Sequence, residues 1–293
     1  MAMKHELNFW VVGGDMRQCK LAQLLAEDGH RVHTYGMEEG VTPVSGLTME
    51  KSLEGITLAD CVVLPLPISD GDGELNAPLT QQKLMIADVL GVLAPKQVVC
   101  GGRVDAETAA LAAERGHTIL DYYAREELIV ANAVPTAEGV LQVALREMPI
   151  TLHNARVLVL GFGRVGFMIA HQMAALGAKV SVAARRYDAL AWAKAMGYGA
   201  EKIGELVGWM CGYDLVVNTV PSMVLREAEL ADMKPDALII DMASKPGGVD
   251  TQAAARLNRK VVRALALPGK TAPVTAGGII KDTIYNMLQE LDA

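Results

Sequence analysis

The chain has 293 residues, of which 51% are hydrophobic, and it carries a formal net charge of −7 with a pI near 5.4. This length fits one large domain or two of ordinary size. An acidic chain without a cluster of lysine and arginine argues against nucleic-acid binding. No uninterrupted apolar run reaches the roughly 18 residues of a membrane span, and the N-terminal residues lack the features of a signal peptide. We therefore expect a protein without a membrane segment.

The cysteines and histidines show no metal-binding pattern. No two of the four cysteines form a CxxC pair, and the six histidines form no HxH or HxxxH pair. Zinc sites and disulfide frameworks usually have closer spacing. We predict reduced thiols in a cytoplasmic protein and no metal site. The cysteines are Cys19, Cys61, Cys100 and Cys211.

The first 135 residues alternate between short apolar runs and helical patterns. This alternation predicts a parallel sheet covered by helices on both faces, and we assign residues 1–135 to a Rossmann-like or flavodoxin-like substrate domain. The predicted strands are "LNFWVVGGD", "HRVHTYG", "DCVVLPLP", "KQVVCGG" and "HTILDYY". The predicted helices are "RQCKLAQLLAEDG", "TQQKLMIADVLGVL" and "DAETAALAAERG".

A long helix is predicted to connect this domain to a second one. It begins near Thr136, directly after Pro135, and occupies residues 136–150. The strand–helix alternation then restarts and predicts a nucleotide-binding domain over residues 151–274. We expect the last helix, residues 275–293, to pack back on the first domain. The predicted fold is α/β, with two Rossmann-like, doubly wound parallel-sheet domains and a cleft between them.

The second domain begins with a glycine-rich turn of dinucleotide-binding type. In "VLVLGFGRVG", Gly161, Gly163 and Gly166 form GxGxxG between an apolar strand and a helix. The first glycine makes the tight turn, the second lets the backbone approach a pyrophosphate, and the third lets helix and strand pack closely. This context makes the motif more specific than GxGxxG alone. The predicted cofactor contacts here are Gly161, Phe162, Gly163, Arg164, Val165 and Gly166.

The end of the next strand indicates which dinucleotide binds. NAD sites commonly have Asp or Glu there to accept hydrogen bonds from the ribose. This chain has two alanines followed by Arg185 and Arg186. A guanidinium binds a 2′-phosphate through paired hydrogen bonds, so we predict NADP, with Arg185 ahead of Arg186. The alternative is that one or both arginines are merely solvated.

Two later strand ends supply further candidates, because ligands bind at the carboxyl ends of strands in open α/β sheets. The alternative for each polar residue is local turn capping. Lys245 is favoured as functional, since the Pro-Gly-Gly that follows it lets the backbone come near a ligand. The candidates are Asn218, Thr219, Val220 and Pro221 in "VNTVPS", and Asp241, Ser244 and Lys245 in "DMASKPGG".

The first domain has a comparable face. "VVGGDMRQ" brings Gly13, Gly14, Asp15 and Arg17 to the end of its first strand, but it is not GxGxxG, so we expect only one dinucleotide. In "NAVPTAEG", Thr136 is either a ligand contact or a helix cap with Glu138 in its first turn.

Six motifs together resemble the family of dipicolinate synthase A subunits. They are "VVGGDMRQ", "LPLP", "NAVPTAEG", "GFGRVG", "DMASKPGG" and "LPGKTAPVTAGGII", and they span nearly the whole chain in this order. The resemblance implies NADP-linked oxidation of dihydrodipicolinate to dipicolinate during sporulation. It also implies a cytoplasmic protein of the mother cell and, as a partner, the B subunit of the synthase, which is similar to flavoproteins. A homo-oligomer is an open alternative.

The two-domain plan also looks like the D-2-hydroxyacid dehydrogenases and adenosylhomocysteine hydrolase. The dehydrogenases carry a catalytic histidine near the end of the last strand, whereas "LPGKTAPVTAGG" contains none. Oxidation of a hydroxy acid needs a base for the hydroxyl proton. Aromatisation of a dihydropyridine needs that base less, so positioning should dominate.

The candidate residues for this chemistry fall into two groups. The substrate's carboxylates would be bound by Arg17, Arg103, Thr136, Ser244, Lys245, Lys270 and Thr271. The catalytic candidates are Lys245, Asp15, Glu138 and Thr136, with Asp15 or Glu138 accepting the ring proton. Two other readings stay open: an NAD(P)-dependent dehydrogenase of a small hydroxy or amino acid, and a non-catalytic NADP-sensing regulatory protein.

Overall fold

The computed structural model describes residues 5–244 and 247–291. The chain divides into two compact units. The first unit combines Met1–Asn132 with Pro268–Ala293, and the second unit is Ala133–Leu267. The first unit is therefore built from two separate segments of the sequence.

The first unit contains a parallel sheet. Within its described residues the sheet has six strands in the order β3-β2-β1-β4-β7-β8, beside a two-stranded hairpin of β5 and β6. The order corresponds to that of a Rossmann fold once the hairpin is set aside. The strands are β1 (Asn8–Val12), β2 (Arg31–Tyr35), β3 (Leu47–Met49), β4 (Cys61–Val63), β5 (Ser69–Gly71), β6 (Glu74–Leu75), β7 (Val98–Gly101) and β8 (Ile119–Asp121).

Aspartate caps begin two of the helices that follow these strands. The Asp15 carboxylate accepts a hydrogen bond from the backbone N–H of Arg17, and the Asp105 carboxylate accepts one from that of Thr108. Such caps satisfy the first amide groups of a helix, which have no partner within it. The helices that begin in this part of the chain are α1 (Met16–Glu27), α2 (Ile86–Gly91), α3 (Ala106–Glu114) and α4 (Glu126–Glu147).

Helix α4 begins ten residues before the predicted start near Thr136, and the prediction was wrong on this point. Pro135 lies inside the helix rather than in front of it. Proline removes one backbone hydrogen bond and usually ends a helix. Here both flanking turns are well packed: Leu128 belongs to the core of the first unit, and Ala137 and Val140 belong to that of the second. This burial on either side outweighs the local preference of the proline.

Helix α4 is also long and apolar enough to span a membrane by length and composition. Half of its most apolar window is buried inside the protein. Half of this apolar window therefore packs inside the protein, while Val130, Val134 and Leu145 are exposed.

The second unit contains another parallel sheet. Among its described residues six strands follow the order β11-β10-β9-β12-β13-β14, which is the Rossmann order. The strands are β9 (Arg156–Leu160), β10 (Lys179–Ala184), β11 (Gly199–Lys202), β12 (Leu215–Asn218), β13 (Leu238–Asp241) and β14 (Lys260–Arg263). The helices are α5 (Arg164–Ala175), α6 (Tyr187–Ala195), α7 (Glu227–Asp232), α8 (Thr251–Arg256) and α9 (Leu267–Thr271), the last of which crosses into the first unit.

The final helix, α10 (Pro273–Leu291), packs on α1 in the first unit. A Cβ on Gly277 would lie 2.8 Å from the Arg17 carbonyl oxygen and from the Leu21 nitrogen, so only glycine allows this close approach. The Asp28 carboxylate accepts hydrogen bonds from Lys281 Nζ at 2.6 Å and Tyr285 Oη at 2.9 Å. Proline is well suited to the first position of a helix, and the helix begins at Pro273.

Both sheets are buried on their two faces. In β1, Phe9 and Val11 belong to one core cluster and Trp10 and Val12 to another. In β9 the alternation is the same, with Val157 and Val159 on one face and Leu158 and Leu160 on the other. Side chains of a strand point alternately to opposite faces, so each sheet is covered by helices on both sides. The predicted pair of doubly wound α/β domains is confirmed.

Candidate functional site

The glycine-rich turn lies between β9 and α5, and each of its glycines meets different surroundings. Gly161 has a left-handed backbone, with φ of 92°. A Cβ there would overlap Thr219 Oγ1 and lie 3.0 Å from Val220 Cγ2. Both the backbone conformation and the space therefore require glycine at this turn.

Gly166 is buried in the first turn of α5. A Cβ at this position would overlap the Gly161 carbonyl oxygen. Its absence lets the helix pack directly against the turn, as in a dinucleotide-binding fingerprint.

Gly163 is the N-cap residue of α5 and has extended backbone angles. A Cβ there would meet no described atom within 4 Å, so the described residues do not require glycine at this position for steric reasons. The close approach of a bound pyrophosphate would require it. The twelve-residue helix α5 begins here, and the N–H groups of its first turn form an anion-binding end. The turn therefore fits the pyrophosphate of a dinucleotide.

The other residues of the turn have mixed surroundings. The Phe162 ring packs 5.6 Å from the Phe167 ring and 6.3 Å from the Tyr198 ring, measured between centroids. Arg164 is exposed, and Val165 is half-buried against the core. Phe162 and Val165 thus anchor the turn to the unit.

At the end of β10 the two candidate arginines differ. Both follow the buried Ala184 and both are exposed. Arg186 forms a two-pronged ion pair with Asp188, which raises the pKa of the arginine and lowers that of Asp188 to about 2. Within residues 5–244 and 247–291, Arg185 has no hydrogen bond or ion pair. Arg185 is therefore the guanidinium that a ligand can engage without competition.

The polar residues at the carboxyl ends of β12 and β13 make local contacts. Asn218 and Asp241 are buried, and Asn218 Nδ2 donates to Asp241 Oδ1 at 2.8 Å. Asn218 Oδ1 accepts from the Val220 N–H at 3.0 Å, and Thr219 Oγ1 donates to the Leu160 carbonyl at 2.8 Å. These side chains hold the two loops in place beside Gly161.

The remaining candidates of these loops are less constrained. Pro221 is exposed and Ser244 is half-buried. Lys245 lies outside the described residues. The loop closes on Asp241, whose Oδ1 accepts a hydrogen bond from the Ala243 N–H at 3.2 Å.

In the first unit, the half-buried Asp15 and the buried Arg17 form a cluster with the backbone of Leu66. Arg17 Nη2 donates to Asp15 Oδ2 at 2.8 Å and to the Leu66 carbonyl at 2.5 Å. Only 7% of the Arg17 side chain is exposed. Arg17 and Asp15 neutralise each other, so Arg17 serves first to join "VVGGDMRQ" to "LPLP".

The structure brings the segment before α10 to this cluster. A Cβ on Gly269 would lie 3.0 Å from Asp15 Oδ2 and 3.2 Å from Arg17 Nε. Lys270 and Thr271 are the next two residues after Gly269 and are the last two of α9, and Lys270 is exposed. Two motifs more than 250 residues apart therefore meet at one edge of the first unit.

Arg103 lies at the carboxyl end of β7 in the same unit. It has a left-handed backbone, with φ of 57°, which few non-glycine residues adopt. Its N–H donates to Asp121 Oδ1 at 2.9 Å, and its side chain is exposed. Of the two arginines predicted to bind substrate, Arg103 is the accessible one.

Thr136 and Glu138 lie on α4 in the second unit. Thr136 is buried and Glu138 is exposed. A Cβ on the neighbouring Gly139 would lie 2.7 Å from Leu267 Cβ. Thr136 is not a helix cap, because α4 begins ten residues earlier.

Two residues near Arg185 were missed from the sequence, Lys202 and Tyr187. Lys202 ends β11 and pairs with Ala184 in the sheet, and its Nζ lies 4.7 Å from the centroid of the Tyr187 ring. Gly199–Lys202 is a short edge strand without an apolar run, so its pattern did not mark Lys202 as a strand end. Lys202 can be identified only once the register of the sheet, which pairs it with Ala184, is known.

The described residues form no cluster of three or more histidine, cysteine or acidic side chains suited to a metal ion. All four cysteines are free thiols in the described part of the chain. Cys61 and Cys100 lie buried on β4 and β7 with their sulfur atoms 3.9 Å apart. Their shared contact, together with burial, raises the pKa of Cys61, so this thiol is unreactive.

Two family models match the two parts of the chain. The N-terminal domain of dipicolinate synthase A subunits matches residues 8–123. The NAD-binding domain of D-isomer specific 2-hydroxyacid dehydrogenases matches residues 108–267. The second match covers the glycine-rich turn and supports a nicotinamide cofactor.

Two solved structures with low sequence identity share the fold of the chain. They are the transhydrogenase from Sinorhizobium meliloti, with 14% identity and a TM-score of 0.71, and L-alanine dehydrogenase, with 15% identity and a TM-score of 0.66. The transhydrogenase alignment covers 96% of this chain and 94% of that one, and the L-alanine dehydrogenase alignment covers 96% and 90%. These two likenesses show the architecture alone.

Other relatives match over almost the full length. The dipicolinate synthase A subunit of Bacillus subtilis (strain 168) is 31% identical over 290 residues, which cover 98% of this chain and 97% of that protein. The crystal structure of the Bacillus subtilis protein has a TM-score of 0.87 and covers 99% of this chain and 98% of its own. The Bacillus halodurans structure is 30% identical with a TM-score of 0.88, covering 96% and 97%. The chain therefore belongs to the family of dipicolinate synthase A subunits.

Proposed function

We propose that this protein is an NADP-dependent oxidoreductase that oxidises dihydrodipicolinate to dipicolinate. The observation that carries the choice of cofactor is the end of β10, where Arg185 is exposed and lacks a described partner. The family and the dehydrogenase-type NAD-binding domain support the reaction class.

The nucleotide would be held mainly by backbone groups. The N–H groups at the start of α5 would bind the pyrophosphate, and Gly163 leaves room for it. Arg185 would bind the 2′-phosphate. Asn218 and Asp241 would act as supports, since their side chains hold the loops after β12 and β13.

Exposed cations and polar side chains of this chain would bind the two substrate carboxylates. In the first unit, Arg103 and Lys270 are exposed cations, while Arg17 is bound to Asp15. The other candidate ligands come from elsewhere in the chain and are Ser244, Lys245, Thr136 and Thr271.

A nicotinamide bound at the glycine-rich turn would supply the hydride acceptor. The protein then has to place the ring carbon and accept one proton, and the aromatic product supplies the driving force. The exposed Glu138 is the more accessible of the two proposed proton acceptors, since both oxygens of Asp15 accept hydrogen bonds from Arg17.

The family name also indicates a partner. We propose that the chain works with a second, flavoprotein-like subunit in the cytoplasm of the mother cell of a spore-forming bacterium.

A coupled assay tests the reaction. Aspartate semialdehyde, pyruvate and the enzyme that condenses them generate the substrate in place, and the purified protein is added with NADP⁺ or NAD⁺, with and without the second subunit. We expect dipicolinate, read by terbium luminescence, to appear together with NADPH absorbance. If no product forms while NADP⁺ still binds, the proposed reaction is wrong. The better hypothesis is then a hydroxy- or amino-acid dehydrogenase or an NADP sensor.

Arg185→Asp tests the cofactor preference. The substitution places a carboxylate where a 2′-phosphate would bind. We expect the Kd for NADP⁺ to rise by about tenfold to hundredfold, as for the loss of a charge-assisted pair, and the Kd for NAD⁺ to change little. Unchanged NADP⁺ affinity would remove this role from Arg185.

A further inference from the structure

A second cation lies beside Arg185 at the carboxyl edge of the second sheet. Lys202 is the last residue of β11 and is paired with Ala184, the residue before Arg185. Adjacent strands lie about 4.8 Å apart, so Lys202 lies beside the residue that immediately precedes Arg185 in the chain. Lys202 and Arg185 are 17 residues apart in the sequence, but the register of the sheet brings the ends of their two strands together.

The Lys202 side chain is held in place by an exposed aromatic ring. Its Nζ lies 4.7 Å from the centroid of Tyr187, the first residue of α6. Cation–π contacts of this kind orient an ammonium group without neutralising it. The contact with Tyr187 also raises the pKa of Lys202, so the ammonium stays charged at neutral pH.

The acidic groups near this edge leave the ammonium available. Glu205 Oε1 lies 4.0 Å from Lys202 Nζ, the limit of an ion pair, and 74% of the Glu205 side chain is exposed. Such a pair is weak in water. Asp188 is bound to Arg186. Arg185 and Lys202 are therefore two cations open to a dianion.

We infer that Lys202, held by Tyr187, is a specificity-determining residue that binds the 2′-phosphate of NADP together with Arg185. The inference rests on the proposed use of NADP. A phosphate monoester carries up to two negative charges near neutral pH, and two cations on neighbouring strands match it better than one. NAD has only a hydroxyl there, so Lys202 would discriminate between the two dinucleotides. Tyr187 would be a positioning residue.

Binding measurements on the full chain test this role without using activity. Isothermal titration calorimetry gives the Kd of NADP⁺ and NAD⁺, and of adenosine 2′,5′-bisphosphate and 5′-AMP as probes of one end of the nucleotide. For Lys202→Ala we expect the Kd of NADP⁺ and of the bisphosphate to rise by about tenfold. The Kd of NAD⁺ and of 5′-AMP should change less than about twofold, since no charge-assisted bond is lost. Tyr187→Phe should bind like the unaltered protein, while Tyr187→Ala should lose part of the preference.

Lys179→Ala is the matched control. Lys179 is also exposed in the second unit, but it lies at the amino end of β10, the opposite edge of the sheet. This substitution also removes one positive charge, so it measures how much the change in net charge alone weakens the binding of an anionic nucleotide. Thermal melting of each variant checks that the fold is intact.

The outcomes separate the two proposals. If the unaltered protein binds NADP⁺ no better than NAD⁺, the proposed NADP preference is wrong. If it prefers NADP⁺ and Lys202→Ala keeps the same ratio of affinities, the role of Lys202 is overturned while the NADP preference stands. An equal loss with Lys179→Ala would also overturn the role of Lys202, because the effect would then be one of net charge.

Discussion

At the residue scale, the three fingerprint glycines are required for three different reasons. Gly161 needs a left-handed backbone, and Gly166 needs the space beside the Gly161 carbonyl. Gly163 has an ordinary backbone and open space around it. The first two are therefore conditions of folding, while the third matters for the ligand.

Two alanine substitutions should separate these roles. Gly166→Ala forces a methyl group against backbone, and we expect a loss of about 1–3 kcal/mol in the free energy of unfolding. Gly163→Ala should leave that free energy unchanged within about 0.5 kcal/mol, as at an unconstrained surface position. It should weaken NADP⁺ binding by about tenfold, because the methyl group would crowd the pyrophosphate. Urea unfolding and calorimetric titration measure the two effects.

Gly278→Ala in α10 is the control for this pair. A Cβ there would meet only Leu24 Cδ1 at 3.8 Å among the described atoms, which is an ordinary contact. It lies in the first unit, and nucleotide binding should not change. Normal NADP⁺ affinity in Gly163→Ala would contradict the assignment of the pyrophosphate to this turn.

At the scale of elements, α10 shows how a helix from the end of the chain completes the first unit. Its contact with α1 depends on Gly277, and Asp28 joins it to the end of α1 through Lys281 and Tyr285. A second ion pair joins Arg125 to Glu290 at 2.6 Å near the far end of the helix. The apolar face of α10 supplies Ile280, Ile284 and Leu288 to the core. The charges thus fix the orientation of a helix that apolar packing holds.

Asp28→Asn should loosen this docking at every pH above the unfolded pKa of the carboxyl group. Burial alone would raise the pKa of Asp28, but the hydrogen bonds from Lys281 and Tyr285 outweigh it and lower the pKa below 3.8. Because the pKa of Asp28 is lower in the folded state, its carboxylate stabilises the fold fully at any pH above the unfolded pKa of about 3.9. This stabilisation is lost as the pH falls through the folded pKa. We expect the variant to be less stable by about 1 kcal/mol, the net value of one hydrogen-bonded pair.

Urea unfolding at about pH 7 and about pH 5.5 measures this difference, which should be the same at both values because both lie above the unfolded pKa. Glu27→Gln is the control, since Glu27 is the neighbouring exposed acid and forms no ion pair within the described residues. A difference between Asp28→Asn and the unaltered protein that disappears at the lower of the two pH values would contradict the assignment to the Asp28 carboxylate.

At the scale of the whole molecule, the two units have separate cores and are joined by two short stretches of chain. One crossing lies within α4, between Asn132 and Ala133, and the other lies between Leu267 and Pro268. Ala266, which precedes Leu267 at the second crossing, has a left-handed backbone with φ of 54°. We propose that residues at these two crossings act as hinges, which change their backbone conformation when ligands bind.

Hydrogen exchange should detect such hinges. With NADP⁺ alone we expect slower exchange in the turn after β9, because ligand binding stabilises the state that binds it. With NADP⁺ and dipicolinate together we expect exchange to change also in residues 130–136 and 266–271. Helix α3 should serve as an unaffected reference. No change at either crossing, while calorimetry shows both ligands bound, would rule out hinges at these positions.

Much of the fold was predictable from local sequence. The buried strands β1, β4, β9, β12 and β13 are apolar runs followed by turns, and both sheets were expected to be parallel and covered on two faces. The short edge strands β3 and β11 and the β5–β6 hairpin were missed, because edge strands are half solvated and carry no continuous apolar pattern. The start of α4 was wrong because tertiary packing outweighs the local effect of Pro135.

The sequence by itself determined the fold class, the glycine-rich turn and the absence of a carboxylate directly after β10. These features are local, since they depend on periodicity and on a few consecutive residues. Only the tertiary structure decided which polar residues are accessible. It shows that Arg17 is bound to Asp15 and that Asn218 and Asp241 hold loops. It also shows that Lys202 is paired with Ala184, the residue before Arg185. Such pairings join residues from separate strands, and strand order and register, rather than local pattern, bring them together.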